Sequence, residues 1–133
     1  EVDIDNFIKA KGAIYSGASV LIESLGMDFS VIDKVYIAGG IGNNLNIENS
    51  ILIGLLPDIE REKFVYIGNS SLVGSYLALI SKDAKKKVQE IGTEMTYVEL
   101  SVYPTYMDEF ISACFLPHTN IEQFPTVKAI LGE

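Results

Sequence analysis

Apolar residues recur at three- and four-residue steps from Phe7 through Ala10, Ile14, Ala18 and Leu21 to Leu25, and this spacing predicts a long helix over 5–25 with those side chains inward. Asp3 or Asp5 is available as its cap. Gly12 and Gly17 lie inside it, each costing about 1 kcal/mol of helix propensity relative to alanine, which points to a neighbour that approaches closely. Gly26 ends the helix. Val35-Tyr36-Ile37-Ala38 is short and apolar without clean alternation, the pattern of a central strand covered on both faces. A turn rich in glycine and asparagine follows at 39–44, then a helix over 45–56 through Leu45, Leu52, Ile53 and Leu56, stopped at Pro57.

The same strand, turn and helix then recur. Phe64 to Ile67 reads as a strand, Gly68-Asn69-Ser70-Ser71 as its turn and 72–80 as a helix. One βα step separates the two units, so two parallel neighbouring strands with their turns at the same edge is the economical arrangement. Beyond them the pattern predicts a polar helix over 83–91 stopped at Gly92, a strand over 95–102 by alternation, a helix over 106–115, and a loop over 116–133 with a weakly helical tail.

Composition narrows the classes. The 133 residues suffice for one domain with a core that needs neither disulfide nor metal. The net charge of −8, with basic residues scattered apart from Lys85, Lys86 and Lys87, argues against nucleic acid. No run is long and apolar enough to span a membrane, so a cytoplasmic protein is expected. Cys114 alone can form no internal disulfide or cysteine cluster. The start at Glu1, without methionine, suggests a processed piece or an excised domain of a longer chain.

The glycine turn at Gly39, Gly40, Gly42 and Asn43 is the strongest chemical signal, because amide N–H groups freed at a helix start attract a phosphate. It is not a dinucleotide fingerprint, since Leu45 stands where the third glycine belongs, and no Gly-Lys-Ser/Thr follows to make a Walker loop. A purely structural tight turn is the equal alternative. Gly68, Asn69 and Ser70 either add donors or cap the next helix, with capping favoured. Lys9 and Lys11 are long enough to reach a ribose or phosphate, or are solvated surface lysines. His118, the single histidine, reads as structural for want of an orienting partner, and Cys114 as a buried inert thiol. Glu60, Glu62, Asp108 and Glu109 form no paired pattern, and no catalytic residue is assigned.

Taken in order, Ala10-Lys11-Gly12-Ala13-Ile14, Tyr36-Ile37-Ala38-Gly39-Gly40-Ile41-Gly42-Asn43, Ile53-Gly54-Leu55-Leu56-Pro57, Gly68-Asn69-Ser70-Ser71-Leu72 and Phe115-Leu116-Pro117-His118-Thr119 resemble the C-terminal part of the ferredoxin-headed reductive activators of corrinoid proteins. The 35–43 stretch is similar to the adenosine motif of the wider actin, sugar kinase and heat-shock ATPase superfamily. The resemblance departs at Ile41 and Asn44, where an aromatic and a Tyr-like residue are expected; the turn keeps its N–H donors.

The resemblance implies an α/β fold, the C-terminal half of an actin-like, ribonuclease H-like ATPase with a mixed sheet flanked by helices, and a single lobe over 1–133 of a larger enzyme. It implies ATP-driven electron transfer from a [2Fe–2S] domain outside this chain to the Co(II) corrinoid of a methyltransferase system. ATP would come with Mg²⁺ whose ligands are not on this chain. Gly39, Gly40, Gly42 and Asn43 would border the adenosine and α-phosphate, Lys11 would face the ribose or adenine, and Gly68, Asn69 and Ser70 would line the adjacent turn. The partner would be a corrinoid protein, and a homodimer stays open. The alternative from another class is a dimerisation or partner-docking module with structural glycine turns and no nucleotide site. A sugar or acetate kinase relative lacks supporting substrate residues.

Overall fold

The computed structural model describes residues 1–132. Helix α1 (Val2–Ser24) is followed by strand β1 (Val35–Ala38), the short helical turn α2 (Gly39–Gly42), α3 (Ile47–Leu52), β2 (Phe64–Gly68), α4 (Ser70–Ile80), α5 (Lys82–Glu94), α6 (Tyr106–Ala113) and α7 (Pro125–Leu131). β1 and β2 pair in parallel with Val35 opposite Phe64, Tyr36 opposite Val65, Ile37 opposite Tyr66 and, after an irregularity, Ala38 opposite Gly68. Ile37 and Phe64 point into a core shared with Tyr15, Ile51, Ala113, Phe124 and Val127. Tyr36 on the other face is exposed, so among the described residues β1 is covered on one face and not on both.

The buried face of α1 differs from the one its apolar spacing predicts. Phe7, Ile14, Leu21 and Leu25 are exposed, and the helix instead buries Lys11, Gly12, Tyr15, Ser16 and Val20. The reason is the closeness of α6. A Cβ on Gly12 would stand 2.9 Å from the Cys114 sulfur, so the contact is built from small residues rather than large apolar ones. Asp3 and Asp5 lie in the first turn of α1, favourable to the helix dipole, but neither caps it.

At the centre of this contact the Lys11 ammonium donates to the carbonyls of Ala113, Phe115 and Pro117, the last at 2.6 Å. These carbonyls lie at and beyond the C-terminal end of α6, where helix geometry leaves oxygens without intrahelical donors. The helix therefore ends at Ala113, two residues before its predicted end. Burial pulls the Lys11 pKa down to about 8, with Cys114 acting in the opposite direction, and the side chain remains an ammonium at neutral pH. Gly54 completes the junction: its φ of +73° ends the turn after α3, and any Cβ there would meet the Pro117 carbonyl oxygen at 2.1 Å. That left-handed glycine, together with the Asn46 cap accepting from the Asn49 N–H at 2.9 Å, confines α3 to a shorter span than 45–56.

Other boundaries shift for local reasons. Ser81 caps α5 through its hydroxyl, which accepts from the Ala84 N–H at 3.2 Å, and the helix runs through Gly92 to Glu94 instead of stopping there. Residues 95–102 do not form the predicted strand. They find no ladder partner among the described residues; Glu99 accepts from the Ser101 hydroxyl at 2.5 Å and a 3₁₀ turn closes over Leu100–Val102.

The tail is more ordered than its sequence suggests, although Glu133 at its end lies outside the described residues. α7 begins at Pro125 without a cap from its own N-terminal neighbour. Asp58 supplies one from a distance: its carboxylate accepts from the Thr126 N–H at 2.7 Å and the Thr126 hydroxyl at 2.7 Å, while Arg61 donates to it at 2.8 Å. Burial opposes charge on Asp58, but the hydrogen bonds from Thr126 and Arg61 prevail and hold its pKa below the ordinary carboxylate value.

Lys11→Met is expected to lower unfolding free energy by about 1–3 kcal/mol, because the carbonyls stay buried without a donor, and a urea midpoint measures it. Lys11→Arg should not restore stability, since a planar fork does not match three converging oxygens. Because the Asp58 pKa is lower folded than unfolded, its contribution is complete above the ordinary value of 3.8 and is lost as pH falls through the folded value. Asp58→Asn should therefore lower the melting temperature at neutral pH and flatten its decline on acidification, as followed by thermal scans between neutral pH and pH 3.

Candidate functional site

The pairing of Ala38 with Gly68 sets the two glycine turns side by side at the C-terminal ends of the parallel strands. Gly39 leaves β1 with φ +89° and Gly68 leaves β2 with φ +63°, a conformation that side chains with a Cβ rarely adopt. Each chain then turns at once into helix, so first-turn N–H groups gather at one edge of the sheet. Apart from the adjoining backbone, no atom of the described residues lies within 4 Å of where a Cβ on Gly39, Gly40 or Gly68 would stand, and the backbone there borders open space.

The remaining members of the motif have separable roles. Gly42 is buried, and a Cβ on it would stand 2.7 Å from the Ile37 Cγ2, so its small size seats the turn on β1. Asn43 closes the turn by donating its N–H to the Gly39 carbonyl at 3.0 Å, and the Asn44 amide donates to the Gly40 carbonyl at 2.8 Å. The Tyr66 hydroxyl on β2 donates to the Leu45 carbonyl and ties the end of this loop to the neighbouring strand. Ile41 projects from the turn, 85% exposed. In the second turn the Asn69 side chain accepts from the Leu72 N–H at 3.0 Å, the capping bond, and Ser70 opens α4.

Lys11 does not join this group. With 1% of its surface exposed and its ammonium directed to three carbonyls at the end of α6, it is neither a ribose or adenine contact nor the surface lysine that was the alternative. Lys9 is exposed and paired to Asp5 at 2.6 Å along the helix.

His118 is buried against the rings of Tyr15 and Phe124, with centroids 5.5 and 6.2 Å away, in keeping with a structural histidine. Its Nδ1 accepts from the Asn120 N–H at 3.0 Å, which leaves the neutral ring's proton on Nε2 facing the Glu109 Oε1 at 3.6 Å. The nearby His118 ring holds Glu109 below the usual carboxylate range; burial works against this and Ser19 assists it. Glu109 Oε1 and His118 Nε2 are both buried and face each other without a hydrogen bond, a proximity of α6 to the segment beyond it that the sequence does not disclose. Cys114 is half-buried, its sulfur against Gly12, and is less enclosed than expected.

A cleft of about 800 Å³ opens at the opposite end of the strands, bordered by Phe29, Asp58, Arg61, Glu109 and Thr126, and does not include the glycine turns. Among the described residues no three His, Cys, Asp or Glu side chains converge as metal ligands. Among the described residues no helix is long and apolar enough to cross a membrane.

Comparison with known proteins agrees with this geometry. Residues 1–128 match the family described as the C-terminal domain of RACo, the ASKHA domain. The corrinoid activation enzyme RamQ of Eubacterium limosum is 35% identical over 102 residues, 77% of this chain and 17% of RamQ. A solved structure of a reductive activator for corrinoid, iron–sulfur protein superposes with a TM-score of 0.88 at 51% identity, covering 94% of this chain and 20% of that one. The chain thus spans about a fifth of the length of these relatives. The likeness covers both glycine turns, the α1–α6 junction and the ordered segment after α6, and the chain belongs to the family of C-terminal ASKHA domains of the reductive activators of corrinoid proteins.

Proposed function

We propose that this chain is the nucleotide-binding C-terminal lobe of an ATP-dependent reductive activator that serves a corrinoid protein. The observation that carries the proposal is the side-by-side placement of two open glycine turns by the Ala38–Gly68 pairing. Gly39, Gly40 and Asn43 would border the adenosine and α-phosphate, Gly42 would hold their turn on β1, and Gly68, Asn69 and Ser70 would form the adjoining wall. The bare backbone over Gly39, Gly40 and Gly68 suits a phosphate approached through N–H groups, since no side chain intervenes.

Mg²⁺ ligands and the cysteines of a [2Fe–2S] cluster would lie in other parts of the full-length protein, because one cysteine cannot hold a cluster. In that protein, ATP bound here would stabilise one arrangement of the lobes over another, and the shift would govern presentation of the reduced cluster to the corrinoid. In the full-length protein the cluster would supply the single electron that takes Co(II) to Co(I). No residue of this chain is assigned a catalytic role. The docking-module reading draws on a different observation, the exposed stripe of Phe7, Ile14 and Leu21 on α1, which is free to meet a partner or a second copy.

Gly40→Val separates the two readings. Gly40 has no positive φ and open space beside it, so the substitution fills the cradle without colliding with the rest of the chain. Calorimetric titration of the full-length protein with Mg·ATP should show affinity weakened at least about tenfold, on the order of 1.4 kcal/mol, with the oligomeric state unchanged. Unaltered affinity would assign the turns a structural role only.

A further inference from the structure

Helix α5 carries Lys82, Lys85, Lys86 and Lys87, four of the ten basic residues in a chain of net charge −8. Lys82, Lys85 and Lys86 are spaced by three and four positions and form one stripe. Lys86 and Lys87 lie 3.8 and 3.6 Å from the same carboxylate, Glu90, and their side chains are 78% and 66% exposed. One carboxylate cannot neutralise two ammonium groups, and Lys82 and Lys85 make no ion pair among the described residues. α5 contacts chiefly α4, from which Ser81 alone separates it, and none of its residues is buried.

This placement singles out one kind of partner. A cationic protein would be attracted to most of an acidic surface and oriented by none of it. An anionic protein is repelled by most of that surface and attracted at the stripe, which selects one place and one orientation for encounter. We propose that the lysine stripe of α5 is the docking site for an acidic, carboxylate-rich face of a protein partner. Resting on the function proposed above, that partner is the corrinoid protein. A membrane is the less suited occupant of a basic amphipathic helix here. Asp83, Glu90 and Glu94 interrupt the positive charge, and the acidic remainder of the chain repels anionic headgroups.

The test uses the full-length activator and its corrinoid protein, with Lys82, Lys85 and Lys86 replaced together by Gln and, in a second variant, by Glu. Both replacements are good helix formers, and circular dichroism checks that helix content is kept. Association rates from surface plasmon resonance at low ionic strength should fall roughly tenfold in the Glu variant and less in the Gln variant, because charge steers encounter. The variants should converge on the wild type as salt screens the charges, and Mg·ATP affinity should stay unchanged. Wild-type association rates in both variants at low salt would overturn the proposal while leaving the nucleotide function standing. Loss of self-association, or of binding to phosphatidylcholine–phosphatidylserine vesicles, in place of an effect on the corrinoid protein would also overturn it. A wild-type activator that binds Mg·ATP but forms no complex with the corrinoid protein overturns the partner assignment.

Discussion

One buried ammonium organises this domain. Lys11 reaches from the middle of α1 to three carbonyls around the end of α6, and a buried cation with such a partner set fixes the two elements in one register. Its neighbours would be unsatisfied without it, so α6 must end where it does and Pro117 must lie where Gly54 can meet it. Through Gly54 the constraint passes to α3, and through His118, one residue beyond Pro117, to the aromatic group around Tyr15. The core that supports β1 and β2 is therefore positioned by residues other than those of the glycine turns.

That division of labour explains the openness of the turns. Their bases are fixed: Gly42 lies against Ile37, Asn43 and Asn44 bond back to the backbone of the turn, and Tyr66 ties the loop to β2. Their tips are bare at Gly39, Gly40 and Gly68. A rigid base with an unobstructed backbone suits ligand recognition through N–H groups, because the donors are held in place before binding. The two requirements fall on different glycines of one motif, and substitution at Gly42 and at Gly40 should accordingly have different physical meanings.

The local parts of this arrangement were legible in the sequence. The two strands, the glycine turns and the capping asparagine at 69 follow from spacing and turn chemistry over a few residues. What escaped is carried by contacts between distant segments. The apolar stripe of α1 suggested the wrong inward face, because the close contact with α6 is made by glycine, serine and a lysine whose charge argued for solvent. α7 looked like loose tail because its cap is Asp58, in a loop before β2. Residues 95–102 alternate like a strand, yet alternation supplies no partner strand. The glycines and Asn69 lie in the two turns that their spacing marks, whereas Lys11, expected at a ribose or adenine or else in solvent, is buried against the end of α6, and the approach of Glu109 to His118 has no local signal.

The most direct measurement is an amide NMR titration with Mg·ATP. The account predicts that Gly39, Gly40, Asn43, Gly68 and Ser70 shift together, as two turns facing one ligand, while the amides of Lys11 and His118 remain in place. Shifts gathered instead around the cleft at Asp58 and Arg61, or no shift at millimolar nucleotide in the full-length protein, would contradict it.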